Sequence, residues 1–326
     1  MNHVTAETES RLGICLEILP STFSELFNKR IIIMRKLIVS GAVAGVFAVS
    51  TAFAQTPAPA APAAAPAAPA SPLSFNVGVT SDYLFRGVSQ THGRPAIQGG
   101  IDYLHGSGFY IGAWASSISW VKDFTGSGRV EIDVYGGYKN SFGGGDWNYD
   151  FGYITYNYPG KGSAIPTVLA NPNTQELYAA LGYKWLTAKY SHATSSHFIG
   201  WYGGAAGNEK TRGSGYLELN ANYDMGSGWT LIGHVGHQKV RRSVATAALT
   251  DANYTDWKLG VSKDIGFGTI TAAYSDTNTS GTCSSAGGTN AYCWGNTGVV
   301  PGTSGPTAGF KDVSKGKFLL SYLKTF

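Results

Sequence analysis

The sequence lacks the features by which helical membrane proteins and most cytosolic domains are recognised. After residue 55 there is no run of about eighteen apolar residues, so this part contains no candidate transmembrane helix. Charged residues make up only 13% of the chain, and there are three Met, whereas Gly (44 residues) and aromatic residues (13%) are abundant. The formal net charge of +4 is too small to indicate a nucleic-acid partner. Any membrane crossing must therefore use β-strands.

The one strong apolar run lies near the start of the chain. Positive residues at 35 and 36 precede an apolar stretch at 37–49, and Ala52-Phe53-Ala54 forms an A-x-A cleavage site. Residues 34–54 are therefore predicted to be a secretory signal peptide that is cleaved. Because residues 1–33 precede this complete signal, we interpret them as a mistakenly included N-terminal extension.

The composition changes twice after the predicted cleavage site. Residues 55–72 are almost entirely Ala and Pro, which predicts an extended periplasmic linker without a core. From residue 73 onward, apolar and polar residues alternate, as expected of strands with one apolar face. Twelve segments have this period: 73–85, 97–103, 109–117, 130–138, 147–156, 177–185, 186–192, 217–223, 229–237, 255–263, 269–275 and 318–326.

The connections between these segments distinguish a membrane barrel from a sandwich. Short turns follow every second segment, and the other connections are mostly longer. This alternation is typical of an up-and-down barrel with short periplasmic turns and long external loops. Aromatic residues at both ends of the apolar face, among them Tyr83 and Phe85 at the external end, predict two interfacial girdles. We therefore predict an all-β fold, a transmembrane antiparallel barrel of about twelve strands over residues 73–326. A soluble periplasmic sandwich is the alternative.

The end of the chain supports export to the outer membrane. Phe318, Leu320 and Tyr322 alternate before a terminal Phe326, and this pattern resembles the signal read by the machinery that assembles outer-membrane barrels. Lys324 departs from it. Since an open sheet edge in lipid would leave backbone groups unpaired, the first strand must pair with the last.

Two sequence blocks carry a resemblance to a known family. Ser81-Asp82-Tyr83-Leu84-Phe85-Arg86-Gly87-Val88-Ser89-Gln90 and the stretches at 95–103 and 108–112 resemble the TorF family of porin-like proteins, a proteobacterial outer-membrane domain formerly of unknown function. The segments at 256–261 and 273–277 match its C-terminal part more loosely. The resemblance implies an outer-membrane porin and supplies no catalytic residues.

Polar residues that alternate with the apolar face are expected to line the interior. The charged candidates for a pore lining are Asp82, Arg129, Glu131, Asp133, Glu176, Lys184, Glu218, Asp256 and Lys258. Acids are in excess, which favours cations or polar neutral solutes. In the alternative interpretation, these charges pair across the lumen, for example Lys184 with Glu176 or Glu218, and close it. Asp82 and Arg86 lie at the external end of the first strand, where they could shape the pore mouth; the favoured interpretation is a local ion pair beside a turn at Gly87.

The remaining motifs do not indicate an enzyme. Cys283 and Cys293 lie in a Ser/Gly-rich segment and predict a loop disulfide rather than a metal site, because their spacing does not suit zinc. The histidines lack a G-x-S-x-G or H-E-x-x-H context. We therefore expect no catalytic residues, no cofactor and no bound metal. The predicted function is passive diffusion of small polar solutes or ions, with a non-conducting structural or loop-displaying barrel as the alternative.

Overall fold

The computed structural model describes residues 71–161, 170–204, 206–243, 250–285, 287–295 and 309–326. The N-terminal extension, the signal peptide and all but the last two residues of the linker predicted from the sequence lie outside these residues. Among the described residues, no helix is long and apolar enough to span a membrane.

Twelve antiparallel strands form a closed barrel. In chain order they are β1 (Leu73–Thr80), β2 (Ala96–Leu104), β3 (Phe109–Ser117), β4 (Val130–Phe142), β5 (Trp147–Asn157), β6 (Thr174–Tyr183), β7 (Leu186–Ala193), β8 (Gly215–Gly226), β9 (Trp229–Lys239), β10 (Tyr254–Asp264), β11 (Thr269–Thr277) and β12 (Lys317–Thr325). Each strand pairs with the next along the chain. The pairing of β1 with β12, with Val79 opposite Tyr322, closes the barrel. The predicted fold class and the predicted first-to-last pairing are confirmed.

The alternation in the sequence decides which side chains face out. On β8, Leu217 and Leu219 are 58% and 45% exposed, while Glu218 and Asn220, which alternate with them, point inward. The same pattern holds around the barrel, with Ile97, Phe109 and Leu177 among the most exposed residues. The barrel thus exposes apolar side chains and encloses polar ones, the reverse of a soluble fold.

Elements outside the barrel wall are short. Helix α1 (Trp120–Thr125) lies between β3 and β4, and a 3-10 turn (Gly143–Gly145) connects β4 to β5. Three two-residue strand pairs occur in the loops: Leu84–Phe85 with Val88–Ser89, Cys283–Ser284 with Gly287–Gly288, and Cys293–Trp294 with Lys311–Asp312.

Short and long connections alternate as predicted. The turns after β2, β4, β6, β8 and β10 contain two to four residues, whereas the other connections contain at least twelve. The β8–β9 turn is formed by Ser227 and Gly228, both with positive φ (53° and 75°), which matches the twist of a two-residue hairpin. All long connections therefore lie at one end of the barrel, the long-loop end, and all short turns at the other, the short-turn end.

The first strand is shorter than predicted. It ends at Thr80, and residues 81–95 then turn into the barrel instead of continuing its wall. Tyr83 and Phe85 are 1% and 7% exposed, and their rings contact Trp114 (5.4 Å) and Tyr156 (5.7 Å) inside the barrel. Their assignment to an external girdle is therefore wrong, because alternation alone does not show where a strand leaves the wall.

A charge in the middle of the outer face tests the assignment of that face. We expect Leu219→Arg to cost about 2–4 kcal/mol or to block assembly in lipid, because a charge near the bilayer midplane is poorly solvated. Met225→Arg, at the exposed short-turn end of the same strand, is the matched control and should cost at most about 1 kcal/mol. The measurement is equilibrium refolding into phospholipid vesicles. Equal stability of the Leu219→Arg variant and the unchanged protein would contradict this orientation of β8.

Candidate functional site

The barrel interior is occupied at the long-loop end by the chain itself. We call residues 81–95 the inward segment; its side chains at positions 82–86 and 88–92 are all at most 7% exposed. The segment turns back on itself where Leu84–Phe85 pairs with Val88–Ser89, and Gly87 has the positive φ (80°) that such a turn requires. The expected turn at Gly87 is confirmed.

Arg86 connects the inward segment to two distant strands. Its Nη2 donates to Glu176 Oε2 (2.7 Å) and its Nη1 to Glu176 Oε1 (3.2 Å), a bidentate pair with β6. The same Nη1 donates to Gln238 Oε1 on β9 (2.7 Å). Arg86 also has a positive φ of 50°, which is unusual for a residue with a Cβ. These contacts compensate a backbone conformation that by itself is unfavourable.

Aromatic rings enclose the Arg86 guanidinium. Its Cζ lies 4.3 Å from the Tyr216 ring centroid, 4.8 Å from that of Phe85 and 5.6 Å from that of Phe198. Burial by itself lowers the pKa of Arg86, but the adjacent Glu176 carboxylate raises it above its ordinary value, so the side chain keeps its charge. Arg86 is therefore a fixed cation inside the barrel.

Asp82 does not pair with Arg86, so the expected local ion pair is wrong. Its Oδ1 accepts hydrogen bonds from Ser89 Oγ (2.6 Å) and Thr91 Oγ1 (2.7 Å) within the inward segment. Its Oδ2 lies 3.7 Å from Lys317 Nζ on β12. The turn at Gly87 brings Ser89 and Thr91 to Asp82, while Arg86 points to the opposite wall.

Two buried acids lie beside the inward segment. Glu131 and Asp133 on β4 are 1% and 0% exposed, and the Tyr83 hydroxyl donates to Glu131 Oε1 (3.2 Å). Burial and the Glu131 carboxylate raise the pKa of Tyr83, so it remains a donor. In the described part of the chain, neither Asp133 oxygen nor Glu131 Oε2 has a hydrogen-bond partner. Such buried acceptors are costly, which makes this position favourable for water or a cation.

Above the inward segment, other loops form an aromatic layer that we call the lid: Trp120 and Phe124 of α1, Tyr292 and Trp294. The rings of Trp120 and Phe124 lie 5.9 Å and 5.6 Å from that of Trp294, whose ring lies 6.1 Å from that of Tyr292. Tyr292 and Trp294 belong to the connection between β11 and β12. A disulfide between Cys283 and Cys293 cross-links this connection.

His92 links the inward segment to the lid. Its Nδ1 lies 2.7 Å from Asp123 Oδ2 of α1, and its Nε2 lies 3.1 Å from the Trp294 carbonyl oxygen. Lys311 Nζ donates to the His92 carbonyl (3.0 Å). The inward segment and two long loops thus meet at one residue.

Towards the short-turn end, the interior is more accessible. We call this part the lower lumen. Its half-buried charged side chains are Asp102, Lys139, Asp150, Lys189, Glu218, His234 and Lys258. Hydrogen bonds connect some of them to neighbouring side chains. His234 Nε2 lies 3.0 Å from the buried Asp256, which also accepts from Tyr216 OH (2.8 Å), and Asp150 Oδ1 accepts from Tyr110 OH (2.6 Å). Among the described residues, no group of three or more His, Cys, Asp or Glu is placed to hold a metal ion.

The residues proposed from the sequence as a pore lining have different locations. Buried in the interior are Asp82, Glu131, Asp133, Glu176 and Asp256, and half-buried there are Glu218 and Lys258. Arg129 is exposed, directly before β4. Lys184 is exposed in the β6–β7 turn, where Nζ lies 3.8 Å from Asp146 Oδ2. The pairing of Lys184 with Glu176 or Glu218, given above as an example of the alternative interpretation, does not occur, because β6 ends at Tyr183 and Lys184, with a φ of 54°, belongs to the turn.

Sequence reasoning missed several charged residues of the lower lumen. Asp102, Lys139 and Lys189 were not among the candidates, although each has the inward position of its strand's alternation. Lys139 is two residues beyond Gly137, on the same face as Glu131 and Asp133. Continuing the period to the ends of the strands would have identified it.

Most of the chain also matches the sequence model of a protein family. A sequence model of a family described as bacterial proteins of unknown function, Gcw_chp, matches residues 63–298. The chain belongs to the Gcw_chp family. Comparison with curated protein sequences found no match. Because the function of the Gcw_chp family is itself unknown, the function has to be argued from the barrel.

Among solved structures, this Gcw_chp protein is similar to several porins. The KdgM porin is 8% identical with a TM-score of 0.41, and the match covers 78% of this chain and 98% of KdgM. The NanC porin is 10% identical with a TM-score of 0.42, with coverage of 77% and 98%. Pseudomonas aeruginosa OprD is 12% identical with a TM-score of 0.34, with coverage of 78% and 66%.

The buried pair between Arg86 and Glu176 has a testable energetic signature. We expect Arg86→Gln to destabilise the barrel by about 3–5 kcal/mol, because it leaves the Glu176 carboxylate buried without its counter-charge. The double variant Arg86→Gln/Glu176→Gln should be less destabilised than the single variant. Lys184→Gln, which removes a half-exposed partner of Asp146, is the control and should cost at most about 1 kcal/mol. Urea unfolding from vesicles measures all three, and a double variant at least as destabilised as Arg86→Gln would show that the pair is not coupled.

Proposed function

We propose that this chain is an outer-membrane channel for passive diffusion of small polar solutes or ions, in which the inward segment narrows the passage. The observation that carries the proposal is the accessible, charged lower lumen. Asp102, Asp150, Lys189 and Lys258 face the interior and are half-buried, so part of each side chain stays accessible. A barrel filled only to be a stable scaffold has no physical reason to retain solvated charges in its interior.

The outer face supports a location in a membrane. Exposed apolar residues surround the wall, and aromatic residues are grouped beside the short turns, where Phe109, Trp147 and Trp229 are 63%, 36% and 43% exposed. In the outer membrane the short turns would face the periplasm and the long loops the exterior. The resemblance of residues 81–112 to the TorF porins supports the same proposal.

The route to the membrane is part of the proposal. Residues 34–54 would direct export and be cleaved, and residues 55–72 would remain as a periplasmic linker. The barrel assembly machinery would recognise β12 with Phe326 behind it. Phe318, Leu320 and Phe326 are 83%, 59% and 70% exposed on the outer side, where a partner can reach them before insertion.

Charge in the interior favours cations. The inward-facing acids on the strands are Asp102, Glu131, Asp133, Asp150, Glu176, Glu218 and Asp256, and the inward-facing lysines are Lys139, Lys189, Lys258 and Lys317. Arg86 adds one positive charge and is matched by Glu176. The remaining acids of this set outnumber the lysines, so a hydrated passage along them would concentrate cations.

A non-conducting barrel that displays its loops is the second candidate. The lid favours it, because aromatic packing and the Cys283–Cys293 disulfide close the long-loop end more firmly than polar contacts do. Besides its ring contacts, the inward segment has polar attachments to the wall through Arg86, Asp82 and the Tyr254 hydroxyl, which donates to the Arg86 carbonyl (2.8 Å). Polar attachments of this kind can be exchanged for water when the segment moves.

Single-channel recording tests the proposal. For the refolded chain in a planar bilayer under a salt gradient, we expect discrete conductance steps and a reversal potential of cation-preferring sign. Arg86→Gln should increase the conductance or the open fraction at least about twofold, because it removes the contacts with Glu176 and Gln238. Lys184→Gln, in the turn, should leave both unchanged.

The possible outcomes separate the two candidates. Steps in the unchanged protein that become larger or longer in Arg86→Gln support a channel narrowed by the inward segment. Silence of both proteins, with insertion verified by protection from protease, would overturn the channel and favour the non-conducting barrel.

A further inference from the structure

Basic side chains face outward where the apolar face ends at the long-loop end of β7 and β9, on either side of β8. Tyr190 and Leu217 lie opposite each other in register and are 46% and 58% exposed. Two residues further towards the long loops, the outward positions are His192, Gly215 and Lys239, again opposite one another. His192 and Lys239 are exposed. On β7 the outward side chain thus changes from Tyr190 to the basic His192 within two residues, and on β9 Lys239 follows the exposed His237.

Two arginines extend this basic surface into the loops. Arg212 and Arg241 are exposed, and Arg241 Nη1 donates to the Arg212 carbonyl (3.2 Å). A Cβ on Gly213 would lie 2.9 Å from Arg241 Nη1 and 3.7 Å from His192 Cε1, so the guanidinium and the imidazole lie over the same glycine. We call His192, Arg212, Lys239 and Arg241 the outer basic patch.

In the described part of the chain, no carboxylate forms an ion pair with the patch. Within the described ranges, none of its four members is in an ion pair. The nearby Glu209 pairs with a different arginine, Arg242 (Nε to Oε2, 3.1 Å). The stretches at 162–169, 205, 244–249, 286 and 296–308 contain no Asp or Glu in their sequence. Clustered like charges repel one another, so an anionic ligand would relieve an existing cost.

We propose that the outer basic patch binds the phosphate groups of a glycolipid in the outer leaflet of the membrane. The direction in which the patch faces favours a lipid over a dissolved anion. Its strand residues, His192 and Lys239, point away from the lumen and lie beyond the apolar Tyr190 and Leu217. A lipid with its acyl chains against these residues has its headgroup at the level of Lys239. Two guanidinium groups provide the planar donors that suit phosphate oxygens.

This inference rests on the proposed membrane location and orientation, and it does not depend on conduction. It assigns the β7–β9 side of the barrel a specific lipid contact. Because charged contacts at a headgroup supplement the apolar contact below it, the bound lipid would also stabilise the folded barrel.

The test compares lipids that differ only in phosphate. The refolded chain in neutral detergent is titrated with bisphosphorylated lipid A or with the same lipid lacking phosphates, and bound lipid is counted by native mass spectrometry. We expect the phosphorylated form to bind at least about tenfold more tightly. The triple variant Arg212→Gln/Lys239→Gln/Arg241→Gln should lose this preference.

A matched control removes the same charge elsewhere. Lys184→Gln/Lys263→Gln/Lys324→Gln takes three cations from the short-turn end and should retain the preference within about twofold. Equal binding of the two lipids by the unchanged protein, or equal loss in both triple variants, would overturn the assignment. Displacement of the lipid by millimolar pyrophosphate would also overturn it, since the site would then take a dissolved anion.

Failure of the proposed function gives a different result. A chain that does not insert into vesicles would remove the membrane location and the inference together. A chain that inserts but is electrically silent would remove the channel only, and the lipid preference would still be expected.

Discussion

The constraint on which this structure depends is that every backbone amide and carbonyl in the wall needs a partner within the protein. In lipid no water replaces a missing partner, so a sheet can be used only if it has no edge. The pairing of β1 with β12 meets this requirement. Once the sheet is closed, each strand has one face towards the outside and one towards the interior. The alternation of Leu217 and Leu219 with Glu218 and Asn220 then follows from the pleat.

A closed barrel of twelve strands also has an interior that must be filled by protein or by water. A barrel of about eight strands can be filled by the side chains of its own wall, whereas about sixteen leave an open aqueous channel. Here the chain adds material by folding residues 81–95 inward. The segment carries its own cation, Arg86, to the acids of the wall, and the bidentate contact with Glu176 compensates the burial of both charges. The interior is therefore divided into a packed region at the long-loop end and an accessible one at the short-turn end.

The division between predictable and unpredictable features follows from the range of each interaction. Strand positions, the closing pair and the alternation of turns and loops depend on local period and on chain connectivity, and all of them could be read from the sequence. The contact of Arg86 with Glu176 joins residues ninety positions apart, and nothing in the local pattern at 81–95 indicates that the segment leaves the wall. Tyr83 and Phe85 continue the alternation of β1 although they belong to the interior. Lys184 also keeps the alternation of β6 but lies in a turn. Period two identifies strands well, but it does not show at which residue a strand leaves the wall.

The distribution of charge between the surfaces of the barrel has a physical consequence of its own. In the interior, acids face a lumen in which Arg86 and three lysines of the lower lumen already offset part of their charge. On the outside, Lys239 and Arg241 are exposed at the end of an apolar face, with no acid paired to them among the described residues. Opposite signs on two sides of one wall attract different partners, cations within and anions without. Because the strands alternate, neighbouring residues such as Gln238 and Lys239 serve these two surfaces separately, and a substitution at one leaves the charge at the other intact.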